Sequence, residues 1–168
     1  MMRRLLAILA ISSALAACGE ESAGPNLVEV LEADGRFSTL LRIVRDDAAS
    51  RFYDFMTSNR NLTLFAPPDE AFDALPSGEL EAMLASDEAV RMLLAHHLAE
   101  PTFALTELEA KARSDDPLLS VGGCCQVRLT MEGEQLRVNN AAVMEGDIEA
   151  SSGLIHVIDE VIEFDTEL

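Results

Sequence analysis

Three features of the 168-residue chain predict an α+β fold. Apolar residues at helical spacing dominate its first half, and period-two alternation dominates the stretch beyond residue 117. The two patterns are not interleaved as βαβ units would require. From the start, Asn26 is a good N-cap, and Leu27, Val28, Val30 and Leu31 predict a short helix that Gly35 interrupts. Phe37, Leu40, Leu41 and Val44 recur at i, i+3, i+4 and i+7, predicting a second helix with one apolar face. Residues 46–60 are polar and mixed, with Phe52, Tyr53 and Phe55 as expected anchors.

Leu62 to Ala66 has strand character, and Pro67-Pro68 stops it because two pyrrolidine rings remove two donors. Asp69 to Phe72 reads as a short helix, and Ser77 is the expected cap of the next, which runs through Leu80, Met83 and Leu84. The clearest helix is expected from Asp87 to Leu98, with Val90, Leu93, Leu94 and His97 on one face. Val127, Leu129 and Met131 then alternate with polar residues, Glu132-Gly133-Glu134 turns, and Leu136 and Val138 return, which predicts a hairpin. Two further strands are expected over 143–149 and 154–163.

Apolar residues make up 49% of the chain, enough for a core of one domain. The formal charge is −18, a surface that repels nucleic acid and anionic headgroups; direct binding of either is not expected. Trp is absent and Tyr occurs once, which excludes a sugar site built on a stacked indole.

The first residues read as an address. Arg3 and Arg4 form a positive n-region, and the apolar run from Leu5 to Leu15, broken only by Ser12 and Ser13, is too short to span roughly 30 Å of hydrocarbon. Leu15-Ala16-Ala17-Cys18 resembles the lipobox of bacterial lipoproteins, which implies cleavage before Cys18 and acylation of its thiol. Residues 1–17 are then a lipoprotein signal peptide, and Gly19 to Pro25 completes a lipidated tether over 18–25. Loss of Arg3 and Arg4 makes the mature chain two charges more negative. Gly19, where an inner-membrane retention signal of enteric type would carry Asp, implies the outer membrane without indicating its face.

Three ordered blocks over residues 26–164 resemble the fasciclin domain family. They are Thr63-Leu64-Phe65-Ala66-Pro67-Pro68-Asp69-Glu70-Ala71-Phe72, then Leu93-Leu94-Ala95-His96-His97-Leu98, then Gly153-Leu154-Ile155-His156-Val157-Ile158-Asp159-Glu160-Val161-Ile162. Val138-Asn139-Asn140-Ala141 and Asp147-Ile148 add shorter matches. The resemblance implies a β-wedge or sandwich of about seven strands with helices packed on one side. Its motif residues Phe65, Pro67, Asp69, Phe72, His97, Asn139, Gly153, His156 and Asp159 are read as mainly structural. Phe65 and Phe72 supply large apolar payloads, and Asp69 is expected to accept from the N–H groups of the helix it opens. Pro68 stands where the family has a capping Thr, and Ser152 where it has Asn. His96 replaces a Tyr tied to integrin binding in animal members, so that contact is not carried over.

No nucleophile elbow, zinc-protease helix, phosphate loop, dinucleotide turn or calcium loop is present, and the chain is expected to be no enzyme and to need no cofactor. His97 is expected to be buried with a ring nitrogen on backbone, His156 to be structural, and His96 to be solvated. A metal site from His97, His156 and a carboxylate lacks supporting spacing. Cys124-Cys125 is a candidate thiol pair: adjacent cysteines close only a small strained ring, and the alternatives are free buried thiols or soft-metal ligands. Free or structural cysteines are favoured over a redox role, since Cys-x2-Cys spacing is missing.

Two functions are consistent with this reading. The first is adhesion: a lipid-anchored envelope or surface protein contacting cells, matrix protein or polysaccharide. The second is a periplasmic binding or assembly module for a small apolar ligand or a protein partner.

Overall fold

In the computed structural model, residues 24–58 and 61–162 are described. The expected signal peptide, Cys18 and the expected tether up to residue 23, and the domain's expected end at 164, lie outside those residues. The fold is α+β. Helices α1 (Leu27–Asp34), α2 (Ser38–Val44) and α3 (Ser50–Thr57) precede strand β1 (Leu62–Ala66). Then come α4 (Asp69–Asp73), α5 (Glu79–Met83), α6 (Asp87–His97), β2 (Leu98–Ala99) and α7 (Leu105–Ala112). Strands β3 (Leu118–Val121), β4 (Cys125–Glu132), β5 (Gln135–Val138), β6 (Ala141–Ala150) and β7 (Gly153–Ile158) complete it.

The seven strands pair in chain order and close on themselves. Every neighbouring pair is antiparallel except β1 and β7, which run parallel from Leu62↔Gly153 to Ala66↔Val157. β1 is buried at all five positions because both of its faces are covered. Its Leu62, Leu64 and Ala66 face the helices, while Phe65 points into a second cluster enclosed by the strands. β7 divides the same way, with Ile155 and Val157 toward the helices and Ile158 inward. A strand with apolar layers on both sides reads as a continuous apolar run, as Leu62 to Ala66 does.

Local chemistry sets the helix ends. Asn26 and Glu29 form a reciprocal capping box on α1: the Glu29 N–H donates to Asn26 Oδ1 at 3.1 Å and the Asn26 N–H to Glu29 Oε2 at 2.9 Å. Gly35 ends that helix at φ +83°, a left-handed value that glycine adopts without a Cβ penalty.

Several expectations need correction. Residues 46–60 contain a helix, α3, whose buried anchor is Met56, fully inaccessible; Tyr53 is exposed and Phe52 and Phe55 are half-buried. The apolar stripe there is a single deep residue with two aromatics at its edge, too weak a period to announce a helix. Ser77 caps nothing: Gly78, at φ +89°, occupies the N-cap of α5 without a side-chain bond. The last strand ends at Ile158 and not at 163. Helix α7 and the two-residue β2 had no predicted counterpart. α7 also stands apart from the helical layer, since its buried Leu108 joins the strand-enclosed cluster.

Candidate functional site

Two motif histidines, His97 and His156, are buried and bond to backbone through both ring nitrogens. His97, at the end of α6, is 1% exposed. Its Nδ1–H donates to the Leu93 carbonyl at 2.7 Å, and its Nε2 accepts from the Ile162 N–H at 3.1 Å. Because a carbonyl only accepts and an amide N–H only donates, the ring must be neutral with its proton on Nδ1. Desolvation pushes its pKa down to about 4, against the Leu93 bond, which favours the charged form; the charge of His96 adds to the lowering. His156 is the mirror case. Its Nδ1 accepts from the Asp147 N–H at 3.2 Å and its Nε2–H donates to the Phe103 carbonyl at 2.9 Å. Burial lowers its pKa, outweighing the Phe103 bond and the Asp147 charge. The two rings thus carry opposite tautomers, and each ties a distant segment to the strands. The Phe65 ring lies 5.9 Å from His156, inside the strand-enclosed core.

His96, expected in solvent, is instead 7% exposed, with its Nδ1–H donating to the Met92 carbonyl at 2.8 Å. The bond back to i−4 folds the ring against its own helix.

Gly153 explains its own identity. It sits at φ +152°, and a Cβ there would lie 1.9 Å from the Leu62 carbonyl oxygen. Ser152, beside it, does more than permit a turn. Fully buried, its hydroxyl donates to the Met56 carbonyl at 2.7 Å and accepts from the Leu27 N–H at 3.0 Å, joining α1 and α3 to the start of β7.

Asp69 does not serve the helix it opens. It accepts from the Ser38 hydroxyl at 2.5 Å, the Thr39 N–H at 2.7 Å and the Ser38 N–H at 3.3 Å, and so caps α2 across the fold. Burial raises its pKa, but those donors prevail and hold the carboxyl below its usual value. Pro68 opens α4 at φ −73° with no side-chain bond, so the preset ring geometry does replace a hydroxyl cap. Pro67 and Phe72 are buried, Phe72 among the helices. Asn139, at φ +53°, accepts from the Arg128 N–H at 2.7 Å, and Asp159 accepts from the Ala142 N–H at 2.6 Å. Both extend strand pairing past a strand end.

Cys124 and Cys125 are disulfide-bonded to each other in the tip of the β3–β4 hairpin. They are therefore neither free thiols nor a metal pair in this structure. Among the described residues no cluster of three or more His, Cys, Asp or Glu side chains could hold a metal ion.

The motifs did not indicate a cleft of about 480 Å³ beside that hairpin. Its walls are α3, α6 and the hairpin tip, with Arg51, Phe52, Phe55, Arg91, Gly122 and Gly123 around a floor of Leu62, Leu98 and Ala99. The Phe52 and Phe55 rings meet edge to face, 6.5 Å apart, and the Arg51 guanidinium lies 5.4 Å from the Phe55 centroid. The hairpin reaches the cleft because Gly122, at φ +57°, has no Cβ. One would fall 2.4 Å from the Ala95 Cβ. The Gly122 N–H then donates to the Leu98 carbonyl at 2.7 Å. The sequence signal was there in Gly122-Gly123 and in the aromatic pair of α3, but no spacing rule links residues 51, 91 and 122.

The fold is thus a closed ring of seven strands with a two-sided β1–β7 pair, and His97 and His156 bond to backbone through both ring nitrogens. The fasciclin domain model matches residues 35–164, and the chain belongs to that family. It is 36% identical over 138 residues to an uncharacterized protein of Synechocystis sp., covering 82% of this chain and 97% of that one. Transforming growth factor-beta-induced protein ig-h3 of Oryctolagus cuniculus is 28% identical over 137 residues, 82% of this chain but only 19% of its own length. The fold matches a FAS1 domain pair from the insect cell adhesion molecule fasciclin I, with a TM-score of 0.66 and 21% identity, over 84% of this chain and 51% of that one.

Proposed function

We propose that the protein is an exported, lipid-anchored adhesion module, fixed to the bacterial envelope through Cys18 and contacting a cell-surface or matrix protein or a polysaccharide through an exposed face of its fasciclin domain. The observation that carries the reading is the adjacency of lipobox and domain: Asn26, the cap of α1, follows Cys18 by a tether of small and polar residues. Fully extended at about 3.3–3.6 Å per residue, that tether keeps the domain within roughly 30 Å of the bilayer. Among the described residues no helix is long and apolar enough to cross a membrane, and the acyl chains on Cys18 would supply the attachment. The relative described as a cell adhesion molecule supports the adhesive reading. The role is non-catalytic: His97 and His156 spend both ring nitrogens on backbone and have none left to move a proton.

A second reading, a periplasmic binding module, is favoured by the cleft between α3 and α6. Antibody labelling of whole cells separates the two, with and without outer-membrane permeabilisation and with a Cys18→Ser strain. Labelled intact cells, with the protein shed by the Ser strain, are the expected result. Labelling only after permeabilisation would transfer the proposal to the periplasmic reading.

A further inference from the structure

We propose that Cys124 and Cys125 form a redox-active site, whose disulfide accepts two electrons from an external dithiol and re-forms by exchange with an external disulfide, with Cys124 as the attacked sulfur. The proposal goes beyond the adhesive reading and stands whether or not that reading holds.

The bond is not needed to hold the fold. A disulfide stabilises mainly by restricting the unfolded chain, and the effect grows with the loop it closes. Here the two cysteines are neighbours in sequence, so no loop is closed. The hairpin is held without the bond. β3 and β4 pair from Leu118↔Arg128 to Val121↔Cys125, the Cys124 N–H donates to the Val121 carbonyl at 3.3 Å, and the Gly122 N–H anchors the tip to the Leu98 carbonyl. Gly122 and Gly123, both left-handed, make the turn that carries the pair to the exposed tip. A cross-link with so little to stabilise, placed where solvent reaches it, is open to exchange.

The two sulfurs are not equivalent. Cys124 is exposed, whereas Cys125 is half-buried, opens β4 opposite Val121 and packs against the strand-enclosed cluster. An incoming thiolate reaches the Sγ of Cys124, forms a mixed disulfide there and expels Cys125 as a thiolate. The second thiolate of the dithiol then attacks its own sulfur in the mixed disulfide, closes its own disulfide and releases Cys124 as a thiolate. The dithiol has lost two electrons, the cysteine pair has gained them, and the two protons of the dithiol end on Cys124 and Cys125. Exchange with an external disulfide runs the same steps backward. A dithiol is required because a single thiol is turned away. Cys125, one residue from the mixed disulfide, attacks the Sγ of Cys124 and expels the newcomer before a second molecule arrives from solution. Cys-x2-Cys spacing is not needed for this, since exchange asks only for an accessible sulfur and a leaving thiolate held beside it.

The test uses the purified full chain carrying Cys18→Ser, which leaves Cys124 and Cys125 as the cysteines that report. Dithiothreitol is added to the native protein and to protein unfolded in urea, and thiols are counted by maleimide labelling and mass spectrometry. Both thiols should appear together, at a native rate within about tenfold of the unfolded rate, because neither sulfur waits for the fold to open. Oxidised dithiothreitol should restore the bond, and the urea midpoint should be the same in both redox states. With the pair separated, Cys124 in the Cys125→Ser chain should react with dithiodipyridine at least about tenfold faster than Cys125 in the Cys124→Ser chain. Urea midpoints show that both variants are folded. Native reduction more than about tenfold slower than unfolded, a lower urea midpoint on reduction, failure to re-form the bond, or a Cys125 as reactive as Cys124 would overturn the proposal.

Discussion

The β1–β7 seam and the α3–α6 cleft share a residue, Leu62, yet they are built on opposite principles. On the seam side, Leu62 pairs with Gly153, where no Cβ fits, and every motif side chain is buried, capped or bonded to backbone. On the cleft side, Leu62 is a floor beneath half-exposed aromatics and arginines whose donors are not all used. The seam shows what the family pattern encodes, which is a frame. The cleft is an open surface beside that frame.

The comparison breaks most readily at its two glycines. Gly153→Ala should cost more than about 4 kcal/mol or abolish folding, because the added carbon overlaps the Leu62 carbonyl. Gly123→Ala, which meets open space at φ +72°, should cost only about 1–2 kcal/mol. Urea unfolding or soluble yield reads the difference, and similar losses at both positions would dissolve the distinction.

His97 comes next. Its pKa is lowered from 6.5 to about 4, so the unfolded chain binds the extra proton between those values. Stability from this group is complete above pH 6.5 and is lost as pH falls toward 4, by about 3 kcal/mol in all. His97→Asn should cost about 1–3 kcal/mol at pH 7 by orphaning the Ile162 N–H, and should flatten the dependence between pH 6.5 and 4. Urea midpoints at pH 7 and 4.5 for both chains check it. Asp69→Ala, which uncaps α2, should cost about 1 kcal/mol by the same measurement. Smallest of all, Arg51→Gln should shift stability by no more than about 0.5 kcal/mol by the same measurement.

How much of this was legible in the sequence depended on range. Asn26, Gly35 and the alternation from Val127 to Val138 act through near neighbours, so α1 and the β4–β5 hairpin could be read directly. The three blocks likewise marked the strands and helix that meet at the seam. What failed was long-range. Asp69 was expected to cap the helix it begins and instead caps one thirty residues earlier, and nothing in a linear spacing reports that. His96 looked solvated because the face beside His97 points away from the main core, yet its ring turns back onto the i−4 carbonyl and is buried. β2 is two residues long, below any periodic signal, and α3 hides behind a single buried Met56. The cleft drew on α3, α6 and a hairpin, and only the closed strand order brings them together.

Native-state hydrogen exchange tests most directly whether the motif residues are frame and the cleft is not. The amides of Ile162 and Asp147 donate into His97 and His156, and the account predicts that both exchange only through global unfolding, with a free energy equal to that from urea. Amides of α3 should exchange through smaller, local openings. If Ile162 and Asp147 exchange as readily as α3, the histidines are not holding the fold together and the account is wrong.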